Sequence, residues 1–355
     1  MSARRVKVAR GDPTPRDGRV KEPTFTGSIR LECRVLSNPV SFLHIGSGAI
    51  LIKASRKELA KAMEKRRDLG FLVKELKRRP DLFEYDYLGF TRYGGRLVIP
   101  GTTIKGMCRS RLELLTVAVD DEVQSCFRQA SPPPRAEPRL GSHGWRHFRI
   151  WSPTTWEDRG PACDATKTKV VCLICDVFGA PGLSSRVYFG NFVEEEVSTC
   201  SLTLDHGEKI EAVEPGSVFM GEISFCYLKP FELGLVLAGL GATKDGAFMP
   251  ILLGKSKYRV RKVIESSSER WKGKIVRFGN VIFSAKEIKL IKQPNMPKLP
   301  SGWIKERGLI IFRGDALKEL ISQLVKEAST KIPGLKLGFS ELKSLAELEG
   351  GTHYG

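Results

Sequence analysis

The stretch Val98–Leu115 constrains the fold most, because it predicts a strand that turns directly into a helix. An apolar pair ends the strand, a Pro-Gly pair makes the turn, and two threonines offer an N-cap for a helix from about Thr103 to Val119. The start of a helix leaves backbone N–H groups unpaired, and such groups bind phosphate. Pro-Gly-Thr before a helix is also ordinary turn chemistry, so the stretch alone leaves both interpretations open. Its candidate phosphate-binding residues are Thr102, Thr103, Lys105, Arg109 and Arg111.

The charge of the chain favours a polyanionic partner. The 355 residues carry a formal net charge of +18, and basic residues are concentrated in residues 1–22, 53–80 and 255–277. Blocks of one sign of charge are typical of a nucleic-acid-binding surface, because each neutralised phosphate releases counterions. An acidic protein, a membrane surface and a solvated basic surface are the alternatives. In the third block, the candidate RNA-binding residues are Lys255, Lys257, Arg259 and Arg261.

The sequence also argues against several classes of protein. No apolar run approaches the roughly 18 residues of a membrane span, and the N-terminus lacks the apolar region of a secretory signal. A hydrophobic fraction of 41% is sufficient for a sizeable core. Gly254-Lys255-Ser256 resembles the end of a nucleotide-binding P-loop, but Met249 occupies the position of its first glycine. We therefore expect a soluble cytoplasmic protein without a membrane partner and without nucleoside triphosphatase activity.

The spacing of four cysteines predicts a structural zinc site. Eight cysteines in a chain expected in the cytoplasm are more typical of free thiols or metal ligands than of disulfides. A Cys-x-x-Cys pair follows two upstream cysteines, and four thiolates close a tetrahedral zinc site. A redox pair or two buried thiols would also explain the pair, and His143 or His147 could replace one thiolate. The predicted ligands are Cys126, Cys163, Cys172 and Cys175.

The order of the predicted elements indicates an α+β fold. Alternating apolar and polar residues indicate strands, and apolar residues at helical spacing indicate helices. Their order is strand, helix, strand, strand, helix, strand, which is typical of a ferredoxin-like or RRM-type core. The strands are predicted near 26–36, 186–193, 218–228 and 274–283, and the helices near 103–119 and 231–240.

The long gaps between these elements predict insertions in the core. A basic amphipathic helix over 55–79, the cysteine-bearing segment and a short acidic excursion each separate core elements. A strand near Leu309–Phe312 and an amphipathic helix near 315–329 follow the last core strand. The predicted domains are a flexible basic arm (1–23), an RRM-like core (24–292) with helical (50–98), zinc-knuckle (120–180) and short acidic (194–210) insertions, and a C-terminal extension (293–355).

Five separated elements of the chain occur in a fixed order. They are Leu43–Gly48, Ile99–Gly106 with Arg109, Cys172–Cys175 leading to Phe178-Gly179, Ala212–Phe219, and Gly254-Lys255-Ser256 before Gly273-Lys274-Ile275. That order resembles the RAMP superfamily of CRISPR-associated proteins, specifically the backbone subunits of type III interference complexes. The Ile-Pro-Gly element is the most specific, and the resemblance covers about residues 28–290.

The resemblance implies a modified RRM fold that binds the spacer portion of CRISPR RNA. Such subunits stack in several copies with other subunits of the complex, and complementary target nucleic acid pairs with the guide. His44, in the first element, joins the RNA-binding residues by this resemblance, although a histidine in such a turn is ordinarily packed or capping. The family places an intercalating thumb at 194–208, which is short and acidic in this chain. A grip on the RNA backbone without base readout suits a guide carrier.

The resemblance also raises the question of cleavage. Type III backbone subunits carry an aspartate before the Ile-Pro-Gly element that cleaves target RNA with a divalent metal, and Asp86 matches it when one residue is skipped. A carboxylate there could orient the 2′-hydroxyl or recruit Mg²⁺ or another divalent cation. Glu84 and Asp81 are the fallback candidates. Three functions stay open: a binding subunit without catalysis, a subunit that is also a metal-dependent endoribonuclease, and an endoribonuclease that processes the CRISPR transcript through His44 or His206.

Overall fold

The chain forms an α+β fold with two large β-sheets. The computed structural model describes residues 3–17, 20–54, 64, 83–128, 137–142 and 144–350. The helices of this part are α1 (Gly101–Leu115), α2 (Trp145–Ile150), α3 (Leu173–Phe178), α4 (Pro230–Gly239), α5 (Gly314–Lys331) and α6 (Glu341–Gly350), with a 3-10 turn at Thr154–Trp156. Its strands are β1 (Arg4–Arg5), β2 (Lys7–Val8), β3 (Phe25–Val35), β4 (Ser41–Phe42), β5 (Gly46–Ala54), β6 (Phe83–Phe90), β7 (Arg92–Tyr93), β8 (Arg96–Ile99), β9 (Glu122–Val123), β10 (Glu157–Asp158), β11 (Val187–Phe189), β12 (Phe192–Glu196), β13 (Thr199–Leu204), β14 (Lys209–Val213), β15 (Val218–Leu228), β16 (Ile251–Leu252), β17 (Val260–Ser266), β18 (Ile275–Phe278), β19 (Asn280–Ile291), β20 (Ile304–Glu306) and β21 (Leu309–Phe312).

The larger sheet is built on strands whose side chains alternate between a buried and an open face. In β3, Ile29, Leu31 and Cys33 are buried, whereas Arg30 and Arg34 are exposed. The strand order is β20, β21, β19, β3, β15, β12, β8, β7, with β11 also paired to β15 and β16 to β19. Along the chain, β3 precedes α1, then come β12 and β15, and α4 precedes β19. The central strands of this sheet therefore come from the segments predicted as core strands.

The smaller sheet has its own apolar core. Its strand order is β4, β18, β17, β13, β14, β6, β5. Phe42 and Trp271 pack edge to face there, with ring centroids 5.0 Å apart. The strand predicted over 274–283 is divided between the sheets, because β18 belongs to this sheet and β19 to the larger one. Gly279 lies between them at a φ of +79°, and a continuous apolar pattern does not reveal such a change of sheet.

The short acidic excursion passes from the larger sheet to the smaller one. Its residues form the end of β12 and the antiparallel pair β13–β14. In the turn that joins this pair, Glu208 ion-pairs with Lys255, and Asp205 lies 3.6 Å from Arg261. We call residues 253–261, which follow β16 and include the start of β17, the basic loop. The acidic turn is therefore paired with the basic loop.

Residues 3–17 do not form the flexible arm expected from their basic composition. Strand β1 pairs in parallel with β10, and β2 pairs in parallel with β9. Val6 and Val8 are buried in the main core. Backbone pairing and two apolar anchors hold this segment, and its partners lie too far along the chain for local composition to indicate them.

The predicted insertion over 50–98 adds strands to both sheets, and the C-terminal extension adds strands to the larger one. Strands β5 and β6 pair antiparallel at an edge of the smaller sheet, and the helix predicted over 55–79 lies outside the described residues. Strands β20 and β21 extend the larger sheet, and α5 packs on α4, where a Cβ on Gly234 would lie 2.0 Å from the Leu324 carbonyl oxygen. No helix among the described residues is long and apolar enough to span a membrane.

Candidate functional site

The helix start predicted at the Pro-Gly turn is the first turn of α1, which begins at Gly101. Pro100 is the N-cap, and its carbonyl accepts a hydrogen bond from the N–H of Thr103 (2.9 Å). The Gly101 N–H donates to Asn191 Oδ1 (3.0 Å), so a side chain from the turn between β11 and β12 contacts the helix start. The two threonines therefore lie within the first turn rather than at the cap, and Thr102 is exposed.

Gly101 allows the helix start to approach β11 closely. A Cβ on Gly101 would lie 2.0 Å from the Phe189 carbonyl oxygen, which is a clash with backbone. Gly101→Ala should therefore lower the free energy of unfolding by about 1–3 kcal/mol, measured by urea denaturation. Gly106→Ala is the matched control, because a Cβ there meets no atom within 4 Å. Equal stability of the two variants would contradict the close approach.

Lys105 is the first cation of α1. Its side chain is half-buried, and burial together with the charge of Arg109 lowers its pKa. Residues four apart share one face of a helix, so the two like charges lie along the same side of α1. A bound anion on this side of the helix start would relieve the repulsion between them.

Arg109 lies against the cysteines instead of reaching the helix start. Its guanidinium donates to Glu113 Oε1 and to the Gly179 carbonyl, both at 2.8 Å. A third hydrogen bond, of 3.0 Å, runs to Cys175 Sγ. The donors of Arg109 are therefore used within the protein, next to the predicted metal site.

Arg111 is a buried structural residue. Its side chain is 4% exposed and forms an ion pair of 2.9 Å with Glu341. The same guanidinium donates to the carbonyls of Ala238 (2.9 Å) and Phe339 (3.1 Å). Arg111 is therefore not part of the candidate RNA-binding surface, because protein groups surround it.

His44 joins two of the five separated sequence elements. Its Nδ1–H donates to the Glu211 carbonyl (2.7 Å), and its own carbonyl accepts from the Lys255 N–H (3.0 Å). A Cβ on Gly254 would lie 2.8 Å from the His44 carbonyl oxygen, so glycine permits this contact. His44 is buried, and burial lowers its pKa, which favours the neutral ring. The structure thus gives His44 a packing role between strand β14 and the basic loop.

The basic loop keeps part of its charge at the surface. Lys255 and Arg261 are paired with the acidic turn described above. Lys257 lies with its ammonium 5.2 Å from the centroid of the Tyr258 ring, and Arg259 is exposed. Lys257 and Arg259 are therefore the residues of this loop that best suit contact with a polyanion.

The four predicted cysteine ligands meet in one buried cluster. Their Sγ atoms all lie within 4.8 Å of one another. Cys126 Sγ lies 3.5 Å from Cys175 Sγ and 3.7 Å from Cys172 Sγ. Tetrahedral zinc with bonds of about 2.3 Å needs sulfur atoms about 3.8 Å apart, whereas a disulfide needs about 2.05 Å. The sulfur separations, including that of Cys163 in the same cluster, therefore fit a four-thiolate metal site.

In the described part of the chain, two guanidinium groups donate to sulfur atoms of this cluster. Arg10 Nε donates to Cys163 Sγ (3.4 Å), in addition to the contact of Arg109 with Cys175. Hydrogen bonds from the other three thiols, and then from Arg10, lower the pKa of Cys163 and favour the thiolate that a metal binds. Sequence reasoning missed Arg10, because nothing in its neighbourhood marks it as different from the other basic residues of the N-terminus.

The candidate carboxylates for cleavage lie in a different part of the sequence from the cysteines. Their side chains are outside the described part of the chain. Asp86 and Glu84 belong to β6. Asp81 precedes the first described residue of that strand. The catalytic assignment of Asp86 therefore stays a prediction.

The described histidines His147 and His206 have hydrogen-bond partners other than the cysteines. His147 Nδ1 lies 3.0 Å from the Tyr258 hydroxyl, which gives it a hydrogen-bond partner away from the cysteines. His206 lies on the turn after β13, with its Nδ1 3.2 Å from Asp205 Oδ1. His143 falls outside the described residues.

Comparison with known sequences identifies the family. A sequence model of the RAMP superfamily matches residues 38–319, which is most of the chain. The chain belongs to the RAMP superfamily. This membership confirms the family indicated by the five ordered elements. No curated protein matches the chain.

Two solved structures share limited likeness with this RAMP protein. Csc2 of Thermofilum pendens is 13% identical, with 95% of this chain and 93% of that chain covered and a TM-score of 0.34. The Csm3-Csm4 subcomplex in the type III-A CRISPR-Cas interference complex is 16% identical, with 76% and 80% covered and a TM-score of 0.27. TM-scores this low support no argument about details of this chain.

Proposed function

We propose that the protein is a backbone subunit of an RNA-guided CRISPR interference complex and holds single-stranded guide RNA largely without sequence preference. The observation that carries the proposal is the RAMP match over residues 38–319, which includes both the helix start and the basic loop. The net charge of +18 supports a polyanionic ligand. Further copies of the chain, other subunits and complementary target nucleic acid are the partners that this function requires.

The arrangement of the larger sheet supports a ferredoxin-like core for this function. Its four core strands, in chain order, are β3, β12, β15 and β19, and the first and third lie side by side at the centre. Helix α1 comes between the first two of these strands, and α4 comes between the last two. The start of α1 lies beside the turn between β11 and β12, where the Gly101 N–H donates to Asn191 Oδ1.

The proposed RNA contact uses the first turn of α1 and two cations of the basic loop. The exposed Thr102 and the half-buried Lys105 supply donors at the helix start, where the helix dipole favours a phosphate. Lys257 and Arg259 supply further charge near the surface of the loop. These groups address the phosphate backbone and leave the bases free to pair with a target.

We also propose that the cysteine cluster binds one zinc ion. Four thiolates in a closed set leave no open coordination position, so the metal would supply folding energy rather than catalysis. The residues that would hold it are the four cysteines, with Arg10 and Arg109 donating to two of the sulfurs.

Lys105→Ala should weaken binding to labelled single-stranded RNAs of unrelated sequence and reduce the salt dependence of that binding. Loss of one phosphate contact lowers the slope of log K against log salt by about 0.7 for a single strand. Titrations over a range of salt concentrations, with duplex DNA as competitor, measure both effects. Lys326→Ala removes an exposed cation from α5 and is the matched control.

The outcomes of this titration test the guide-carrier function and the phosphate role of the helix start separately. If wild-type protein binds no single-stranded RNA, or binds only one hairpin, the guide-carrier function is contradicted. If wild-type protein binds RNA but Lys105→Ala leaves affinity and salt slope at the control values, only the phosphate role of the helix start is contradicted.

A further inference from the structure

The N-terminal segment contacts the chain next to every cysteine of the cluster. We call residues 3–17 the N-terminal strap. Strand β2 of the strap pairs with β9, shortly before Cys126, and β1 pairs with β10, shortly before Cys163. Gly11 exchanges two backbone hydrogen bonds (3.0 and 2.9 Å) with Val171, the residue before Cys172.

The fourth contact lies directly after the last cysteine. The Thr14 N–H donates to Asp176 Oδ1 (3.0 Å), and the Thr14 hydroxyl donates to Asp176 Oδ2 (2.8 Å). Asp176 follows Cys175 in α3. The strap therefore runs across the four short segments that a bound metal would hold together.

The strap supplies one of the guanidinium groups that contact the sulfur atoms of the cluster. Four thiolates and one divalent ion carry a net charge of −2, and the cluster is buried. Arg109 of α1 and Arg10 of the strap each place a guanidinium against one sulfur. A buried negative charge is costly without a partner, so removal of the strap would take away the guanidinium that contacts Cys163 Sγ.

We propose that metal binding by the cysteine cluster and docking of the N-terminal strap are one coupled equilibrium, with Arg10 and Arg109 as the charge-compensating residues. Coupling is reciprocal: the metal orders the strap, and the docked strap slows loss of the metal. The inference rests on the proposed zinc site. It gives the basic N-terminus a structural task that is separate from RNA binding.

The first test compares hydrogen exchange of the strap in the zinc-loaded and metal-stripped full-length protein. Metal removal should raise deuterium uptake in residues 3–17, whereas uptake in α5 should stay unchanged because α5 packs on α4. Zinc content is measured on the same samples. A protein purified without zinc contradicts the metal site itself, whereas a zinc-loaded protein whose strap exchanges equally with and without metal contradicts the coupling alone.

The second test measures zinc release to an excess of chelator. Arg10→Gln should speed release about 10–100-fold, the usual effect of losing a partner of a metal ligand. Val6→Ala should also speed release, because it loosens the strap. Val6 is suitable because its N–H donates to the Asp158 carbonyl and not to a sulfur atom. Arg34→Gln and Val263→Ala, outside the strap, are the controls, because Val263 is buried like Val6 but lies in the core of the smaller sheet. If Val6→Ala matches its control, Arg10 acts only through its own hydrogen bond and the strap is not coupled.

Discussion

Cys172→Ser should leave the purified protein without zinc and lower its melting temperature by about 7 °C. Cys172 is completely buried, and its Sγ lies 3.7 Å from that of Cys126. Serine is a poor zinc ligand, and three thiolates bind the ion far less tightly than four. Structural zinc contributes about 10–16 kcal/mol in zinc-finger peptides, which have little other core. In this chain the two sheets have their own apolar cores, which stabilise the fold without zinc. We therefore expect the free energy of unfolding to fall by about 5 kcal/mol, less than in a zinc finger.

Metal analysis and calorimetry on the same preparation test this result. Cys200→Ser is the matched control, because Cys200 is also buried but packs in the core of the smaller sheet. The control variant should keep its zinc and lose stability only through the buried hydroxyl. Zinc retained by Cys172→Ser at the wild-type level would contradict the four-cysteine site, as would a wild-type protein that folds equally well without metal.

Short-range patterns explain what could be predicted from the sequence. Alternation of apolar and polar residues depends only on neighbours in the chain, and it predicted the strand found as β3. Apolar residues at helical spacing likewise predicted the helix found as α5. The four cysteines chosen for their spacing lie together. For two of them the reason is local, because a Cys-x-x-Cys pair at a helix start brings its two sulfur atoms close.

Long-range partners explain what could not be predicted. Arg111 was a candidate RNA ligand by its position on α1, but its partner Glu341 lies 230 residues further along the chain. Arg109 was assigned to phosphate on the same grounds, and its actual partners include Cys175. A guanidinium has the same sequence signature whether it faces solvent or a buried acceptor. The basic N-terminus shows the same limit, because the strands that pair with it come much later in the chain.

Arg186→Met should lower the free energy of unfolding by about 3–5 kcal/mol. Arg186 is completely buried and donates to both carboxylate oxygens of Glu232, each at 2.7 Å, and to Asp176 Oδ2 at 2.5 Å. Methionine fills a similar space without charge, so two buried carboxylates lose their shared cation. Urea denaturation measures the loss. The control is Arg96→Met, which breaks an exposed pair with Glu194 and should cost less than about 1 kcal/mol.

Adding Glu232→Gln to Arg186→Met should recover part of that loss. Asp176 keeps a second cation, Arg16 at 2.6 Å, so Glu232 is the carboxylate left uncompensated in the single variant. The double-mutant cycle isolates this pair from the packing cost of each change. Strictly additive losses would contradict a buried ion pair as the source of stability. Because Arg186 immediately precedes β11 and Glu232 lies in the first turn of α4, a strong coupling energy would mean that this buried ion pair joins the start of β11 to α4.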